Sequence, residues 1–225
     1  MISVIIPAYN EEKTLPPTLR CLLEQPGDYE VIAVDGESDD RTCEIARAEP
    51  RIRLLRAPKG RASQMNAGAR EARGAWLLFL HADTRLPDGA LARLNSFETD
   101  LTIQAGGFLH RFSGTDWRLK LVSHLDNFRC RRTRIIYGDQ AMFVRRELFK
   151  RLGGFPDQPI LEDVAFCEKL VRVTTPILLA PPVLTDSRKF VKMGVWRSLT
   201  RVLLIILCVE LHLPVLPRAF FQDTR

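Results

Sequence analysis

The stretch GRASQMNAGAREARGAWLLFLHADT, residues 60–84, decides the fold class of this 225-residue chain. Residues 61–72 are rich in alanine and predict a helix, while the continuous apolar run 75–80 predicts a strand buried on both faces. Polar residues follow the strand at once. A helix that leads into a buried strand is part of a βαβ unit, so the stretch predicts an α/β protein with a parallel sheet.

The same alternation extends toward the N-terminus. The apolar patterns predict strands at 2–6, 29–34 and 51–55, with helices at 14–24 and 39–48 between them. Strands that alternate with helices through short connections are typical of a doubly wound sheet.

After residue 81 the pattern becomes mixed, and no linker rich in Gly, Ser or Pro interrupts it. We therefore expect a single Rossmann-like α/β domain with a central, mostly parallel mixed sheet. The predicted strands of this half are 104–112, 141–144 and 177–179, and its predicted helices are 90–97, 116–129 and 163–171.

Composition sets limits on the class of protein. With 46% hydrophobic and 27% charged residues the chain has the balance of an ordered domain. Its net charge of +6 suits an anionic partner, although basic clusters at 129–134 and 188–192 equally fit a solvated surface. No nucleic-acid-binding motif is present, so nucleic acid is not expected as a partner.

Five cysteines without a Cys-x-x-Cys pair argue against a disulfide framework and a structural zinc site. The N-terminus lacks the basic segment of a signal peptide, and we expect a cytoplasmic protein with reduced thiols.

The apolar run 202–209 near the C-terminus is far shorter than the roughly 20 residues that a membrane crossing needs. Glu210 interrupts it, and Arg201 and Arg218 flank it. The run is either a buried or interface helix or a peripheral contact with the inner face of the cell membrane.

Carboxylates follow three of the predicted strands, within residues 7–12, 35–40 and 81–84. Ligands of open parallel sheets bind at the carboxyl ends of the strands, so these groups are expected to converge on one crevice. Clustered carboxylates repel one another unless a cation or ligand hydroxyls compensate their charge.

Glycine-rich phosphate loops are absent after the first strand, which argues against a dinucleotide oxidoreductase and a P-loop ATPase. A nucleotide bound here would need a metal and basic side chains for its phosphates. Asp83 is a hard oxygen donor suited to Mg²⁺ or Mn²⁺.

Four sequence elements, in this order, resemble the family 2 glycosyltransferases, whose fold is the A-type, Rossmann-like glycosyltransferase domain. They are VIIPAYNEEKTL, VIAVDGESDDRT, the stretch quoted above and LEDVAF. The resemblance covers roughly residues 2–196, and the combination of FLHADT with YGDQAMFV is similar to a compact bacterial branch of the family.

The resemblance implies a nucleotide-binding role for residues of the first half. Pro7, Tyr9 and Glu11 match positions that line the nucleoside pocket, and Asp35 matches the carboxylate that contacts the base. Arg61 matches a basic residue beside the nucleotide.

The metal position is implied in the same way. Asp83 matches the last aspartate of the family's Asp-x-Asp motif, which holds Mn²⁺ or Mg²⁺ on the diphosphate. His81 replaces the first aspartate. An imidazole in that place either ligates the metal or hydrogen-bonds the ribose.

Glu162 and Asp163 match the Glu-Asp pair of the family, in which the aspartate is the usual general base. An acceptor hydroxyl that attacks an anomeric carbon must lose its proton, and a nearby carboxylate can accept it. Taken alone, Asp163 is equally an acid in the first turn of a helix.

Three further residues complete the expected site. Asp139 and Gln140 precede a predicted strand and either bind the acceptor or form a plain turn. Arg188 follows the last predicted strand, where it is expected to pair with the diphosphate.

These features predict a metal-dependent, inverting transferase that moves a sugar from a nucleoside diphosphate to a sugar, lipid or lipid-linked acceptor. The family resemblance implies that the donor is a UDP-sugar. The expected division is a nucleotide-binding half at 1–84, an acceptor half at 85–196 and a helical, membrane-associated tail at 197–225. A non-catalytic nucleotide-sugar-binding protein and a sugar-nucleotide pyrophosphorylase remain alternatives.

Overall fold

The computed structural model describes residues 1–158, 160–192, 194–197 and 200. Within this part of the chain one eight-stranded sheet forms the centre of the fold. Its strands are β1 (Ile2–Ala8), β2 (Tyr29–Asp35), β3 (Ile52–Arg56), β4 (Trp76–Phe79), β5 (Thr84–Arg85), β6 (Ala105–Phe112), β7 (Phe143–Arg145) and β8 (Ile177–Thr185).

Helices cover the sheet and connect its strands. They are α1 (Leu15–Leu23), α2 (Thr42–Ala48), α3 (Arg61–Glu71), α4 (Ala90–Ser96), α5 (Trp117–Thr133), α6 (Arg146–Arg151), α7 (Glu162–Leu170) and α8 (Arg188–Lys192), with a 3-10 turn at Gly138–Gln140 before β7.

The strand order is β3-β2-β1-β4-β7-β6-β8-β5. The pairs among β1 to β4 are parallel, and so is β6 with β8, whereas β7 runs antiparallel to both its neighbours and β5 runs antiparallel to β8. The prediction of a mostly parallel mixed sheet is confirmed. The carboxyl ends of β1, β2 and β4 meet at one edge of the sheet, which positions the site.

The core lies on both faces of the sheet because successive strand side chains point to opposite faces. Val4 and Ile6 of β1 pack on the side of α1 and α4, while Ile5 packs on the side of α3. A Cβ added to Gly68 of α3 would lie 2.5 Å from Ile5 Cγ2. Glycine therefore lets α3 approach β1 closely and fixes the position of its first turn at the site.

Several elements differ from the sequence prediction. The short strand β5 and helix α6 were not predicted, because two and six residues carry too little periodicity. Helix α5 ends at Thr133 rather than at 129. Strand β8 continues to Thr185 rather than 179, since a register shift in its pairing with β6 accommodates Pro181 and Pro182.

The expected tail segment 202–209 lies outside the described residues. Among the described residues, no helix is both long enough and apolar enough to cross a bilayer.

Candidate functional site

The loops that follow β1 and β2 are bound to each other. The Asn10 N–H donates to Ser38 Oγ (3.0 Å), and the Asn10 side-chain oxygen accepts from the Asp39 N–H (3.1 Å). The Glu11 N–H donates to Thr42 Oγ1 (2.8 Å). These polar residues, which follow the strands directly, therefore fix the backbone that carries the Glu11 carboxylate.

The turn after β4 is held through its carbonyl groups. Thr18 Oγ1 of α1 donates to the Ala82 carbonyl (2.8 Å), and the Asp186 N–H after β8 donates to the Asp83 carbonyl (2.9 Å). With its backbone fixed from two sides, the turn presents the Asp83 side chain at the edge of the sheet.

These loops and the start of α3 enclose a cavity of about 200 Å³. Six residues predicted from the sequence, from three separate strand ends, meet there. The lining consists of Pro7, Tyr9, Glu11, Lys59, Gly60, Arg61, Gln64, His81, Ala82 and Asp83. We call this cavity the cleft.

Two residues of the cleft were missed by the sequence reasoning. Lys59 Nζ lies 3.8 Å from the centroid of the Tyr9 ring, a cation–π geometry. Gln64 Nε2 donates to the Ala8 and Val34 carbonyls, both at 2.8 Å, and so joins the ends of β1 and β2. Their positions next to Arg61, in the loop and the first helical turn after β3, could have indicated that they belong to the site.

Asp35 ends β2 and lies beside the cleft lining rather than in it. Its carboxylate is buried and accepts the Glu37 N–H (3.2 Å) and the Ser38 N–H (3.3 Å). These bonds hold the turn after β2. A contact between Asp35 and a nucleotide base stays a prediction.

Arg188 lies at a second cavity of about 400 Å³ that shares Glu11 and Asp83 with the cleft. Its guanidinium Nε lies 2.8 Å from Asp186 Oδ2. More than half of the Arg188 side chain is exposed. Such a solvated ion pair is weak, so a stronger anion can draw the guanidinium away.

Glu162 connects the cleft with α7. Its side chain is 3% exposed, and Oε1 lies 3.2 Å from Nε of Arg61, which is 47% exposed. A buried carboxylate thus pairs with the Nε edge of a half-exposed guanidinium at the cleft. The sequence placed both residues at the site but did not indicate that they pair.

Gly138 brings Asp163 and His81 together. The Gly138 N–H donates to Asp163 Oδ2 at 2.6 Å. A Cβ on Gly138 would lie 2.5 Å from His81 Nε2 and 3.3 Å from that same carboxylate oxygen. A side chain at this position would force His81 or the turn to shift, and the glycine joins the turn after β4 to the start of α7.

Asp139 belongs to a group of charged residues between β6 and α5. Its Oδ2 lies 3.6 Å from Nε2 of His110, whose Nδ1 lies 3.9 Å from Asp126 Oδ2. Arg129 completes the group through Nη2, 2.8 Å from Asp126 Oδ1. Burial, opposed by His110, raises the pKa of Asp139 to about 6. We call these four residues the buried charge group.

Sequence reasoning missed this group except for Asp139. A signal existed, because Asp126 and Arg129 share a helix face with the buried Leu119 and Val122. A charged pair on an apolar face predicts a buried partner. The pairing with His110 could not be predicted, since it depends on how α5 packs against β6.

Gln140 is fully buried, and both ends of its amide are bonded within the fold. Its Oε1 accepts the Tyr137 N–H (3.0 Å), and its Nε2 donates to the Phe108 carbonyl (3.4 Å). Arg129 stacks over the Tyr137 ring at 3.5 Å, and burial, opposed by Arg129, raises the pKa of Tyr137 to about 12. The structure gives Gln140 a role in this packing, and acceptor binding by it stays a prediction.

The donors at the cleft fit a divalent metal that arrives with a ligand. Within the described residues, no three His, Cys, Asp or Glu side chains come together to hold a metal by themselves. Mg²⁺ at phosphate sites commonly takes one or two carboxylates and completes its shell with phosphate oxygens and water. Asp83, which borders both cavities, is suited to that arrangement.

Comparison with known proteins points to one family. The sequence profile described as "Glycosyl transferase family 2" matches residues 3–153. A PGL/p-HBAD biosynthesis glycosyltransferase of Mycobacterium bovis is 34% identical over 69% of this chain and 63% of its own length. An uncharacterized glycosyltransferase of Bacillus subtilis, EpsJ, is 30% identical over 75% of this chain and 53% of its own. The chain thus spans somewhat less than two thirds of these curated relatives.

Solved structures share the fold. A mannosyltransferase of Pyrobaculum calidifontis, in complex with GDP-Man and Mn²⁺, superposes with a TM-score of 0.68 at 24% identity, over 99% of this chain and 67% of that one. Residues 1–349 of S. aureus TarS, in complex with UDP-GlcNAc, superpose with a TM-score of 0.67 at 19% identity, over 99% and 70% of the two chains. The likeness extends beyond the matched sequence segment to the α7 and β8 region.

Proposed function

The chain belongs to glycosyl transferase family 2, and from that membership we propose that it transfers a sugar from a nucleoside diphosphate to an acceptor hydroxyl. The juxtaposition at Gly138 carries the proposal. It places Asp163, the candidate base, and His81 of the cleft that would hold the donor beside the same glycine.

The donor would bind with its nucleoside in the cleft. Tyr9, with Lys59 over its ring, offers an aromatic surface and a cation within one wall. Glu162 fixes the Nε edge of the Arg61 guanidinium, whose remaining N–H groups would bind a diphosphate, and Arg188 can exchange Asp186 for phosphate oxygens. Asp35 would contact the base, as the family resemblance implies.

A divalent metal, Mn²⁺ or Mg²⁺, would be held by Asp83, with His81 as a second ligand or as a ribose contact. When bound, it would stabilise the charge that develops on the leaving diphosphate. The Mn²⁺ in the complex of the Pyrobaculum mannosyltransferase supports this assignment.

Asp163 would act as general base. One of its oxygens is fixed by the Gly138 N–H, which orients the carboxylate. The acceptor oxygen would form a bond to the anomeric carbon as the bond to the diphosphate oxygen breaks, and the hydroxyl proton would pass to Asp163. Displacement in one step inverts the anomeric configuration.

The acceptor would bind on the side of residues 85–196, where Asp139 keeps 31% of its side chain exposed. We propose a sugar, a lipid or a lipid-linked glycan as acceptor. The division into a nucleotide-binding half at 1–84, this acceptor half and a tail at 197–225 is part of the same proposal.

Calorimetric titration with UDP and GDP, each with and without Mn²⁺, tests donor binding. We expect one nucleotide to bind, and Asp83→Ala to weaken the Mn²⁺-dependent part of the affinity at least tenfold. Solved relatives hold either GDP-Man or UDP-GlcNAc, so the two titrations also decide the base. Absence of binding to both nucleotides in every metal condition contradicts the proposal.

Turnover is measured separately, as release of nucleoside diphosphate from UDP-sugars and GDP-sugars with and without sugar acceptors. Asp163→Asn preserves the shape of the side chain, so we expect unchanged nucleotide affinity and a loss of turnover of about 10²–10⁴-fold. Equal binding without turnover in the wild type would instead identify a nucleotide-sugar-binding protein. Formation of a nucleotide sugar from a nucleoside triphosphate and a sugar phosphate would identify a pyrophosphorylase.

A further inference from the structure

Helix α5 carries a row of large apolar side chains on its outer face. Trp117, Leu121, Leu125 and Phe128 are 64%, 41%, 47% and 64% exposed. At about 100° per residue they fall within an arc of about 80° around the helix axis. Single exposed apolar residues are common on protein surfaces, whereas a continuous row indicates a contact surface.

The row is not needed to attach α5 to the fold. Leu119, Val122 and Cys130 are buried on the opposite face and pack toward the sheet. The helix is therefore apolar on two sides, and its outer side has no role in the core. Trp196 extends the row, since its ring lies 6.4 Å from that of Trp117 and is 52% exposed.

The charges around the row have one sign. Lys120 and Arg131 lie along one flank of the row, and Arg132 lies at its C-terminal end, all three exposed. Asp126 is the one acidic residue within α5, and it points inward to Arg129. Within the part of the chain that the structure describes, the outer face thus combines aromatic and aliphatic side chains with positive charge that no ion pair compensates, which is typical of helices that lie in the interface of an anionic bilayer.

The position of α5 suits such a contact. Its inner face bears Asp126 and Arg129 of the buried charge group, whose Asp139 follows Gly138 directly in the chain. The inner face of α5 therefore faces the turn that contacts Asp163, and the outer face points away from it.

We propose that the outer face of α5, with Trp196, binds the surface of an anionic lipid bilayer, with the helix lying in the plane of the membrane. This inference goes beyond the proposed function and does not depend on it, because the surface is defined without reference to catalysis. It also names a contact different from the tail segment 202–209.

Flotation of the full chain with lipid vesicles tests the proposal. Vesicles of phosphatidylglycerol and phosphatidylcholine are compared with vesicles of phosphatidylcholine alone. We expect binding to the anionic vesicles, and a reduction of at least tenfold for the double variant Trp117→Ser/Phe128→Ser. The triple variant Lys120→Gln/Arg131→Gln/Arg132→Gln should lose about fivefold in affinity per charge removed and should abolish the salt dependence.

The matched control is Leu101→Ser/Val173→Ser, which removes two exposed apolar side chains outside α5 and should bind as the wild type does. All substituted side chains are exposed, so thermal unfolding should be nearly unchanged. If the double variant fails to fold, the charge variant decides the outcome.

Three results overturn the proposal. The first is a wild type that does not bind anionic vesicles. The second is binding that both α5 variants retain, which would place the contact elsewhere, including the tail. The third is a wild type that forms a dimer and binds no vesicles, while the Trp117→Ser/Phe128→Ser variant is a monomer. The face would then be an interface between two copies of the chain.

Discussion

Charged residues are arranged differently in the cleft and in the buried charge group. Beside the cleft, Arg188 is 57% exposed and pairs with Asp186, which is 27% exposed. In the buried charge group the His110 side chain is 1% exposed, between two carboxylates. Exposed charges exchange partners at little free-energy cost, whereas buried charges are strongly destabilised when one partner is removed. The exposed charges at the cleft can therefore exchange a protein partner for a ligand, whereas the groups of the buried charge group remain paired with one another.

The largest effect that separates the two regions is expected for His110→Ala. The substitution leaves Asp126 and Asp139 without the imidazole between them and removes a ring that packs edge-on against Phe112 at 4.5 Å. We expect the free energy of unfolding to fall by about 3 kcal/mol. Urea unfolding measures it.

Arg188→Ala is the matched change beside the cleft. Its exposed ion pair with Asp186 should contribute less than about 1 kcal/mol to stability. Equal losses of stability for His110→Ala and Arg188→Ala would remove the distinction between the two regions.

A second prediction concerns Gly138, where the two regions meet. In Gly138→Ala the new methyl group would collide with His81, and the turn would have to shift relative to Asp163. Displacements of about 1 Å at a catalytic group cost roughly a hundredfold in rate. We expect that loss in donor turnover, with nucleotide affinity reduced less than threefold.

Gly153→Ala serves as its control for a glycine change. No atom lies within 4 Å of a Cβ there, although its positive φ of 83° adds local strain. A Gly138→Ala protein with wild-type turnover would show that this peptide does not position Asp163.

The third and smallest effect is a pH dependence. The folded-state pKa of Asp139 is raised from 3.8 to about 6. Its favourable contribution to the free energy of unfolding is therefore complete below pH 3.8 and is lost as the pH rises through 6. We expect Asp139→Asn to remove a decline of about 2 kcal/mol in unfolding free energy between pH 4 and pH 7. Urea unfolding at both pH values, with wild type and variant, measures it.

Asp100→Asn is the control, because its effect on the pH dependence of stability should have the opposite sign. Hydrogen bonds from Thr102 lower the pKa of the exposed Asp100, so its contribution is lost as the pH falls. A wild type and an Asp139→Asn variant with parallel stability profiles would contradict the assignment.

The same contrast explains what could be predicted from the sequence. Strands β1 to β4 and the residues that follow them were predictable because the periodicity of a buried parallel strand is local, and the topology brings the strand ends together. Five of the six expected residues that line the cleft lie at the ends of β1 and β4 for that reason. The family resemblance added Arg61, Glu162 and Asp163, and it supplied the individual roles.

The rest depends on contacts between distant segments. His110 and Asp126 meet only because α5 folds back on β6, and no local pattern encodes that approach. The collision that a side chain at Gly138 would cause also arises from a residue 57 positions earlier, His81. Strand β8 was predicted too short because its two prolines are tolerated only at the irregularity in β8 itself, where residues 180–182 face a single residue of β6.

Asn127 couples α5 to the sheet mechanically. Its amide side chain accepts the His110 N–H and donates to the His110 carbonyl, both at 2.8 Å, as a neighbouring strand would. The helix cannot slide or roll without breaking both bonds or carrying β6 with it. The Phe112 N–H adds a further link by donating to Ser123 Oγ (3.1 Å), so a displacement of α5 is expected to carry this part of β6 with it.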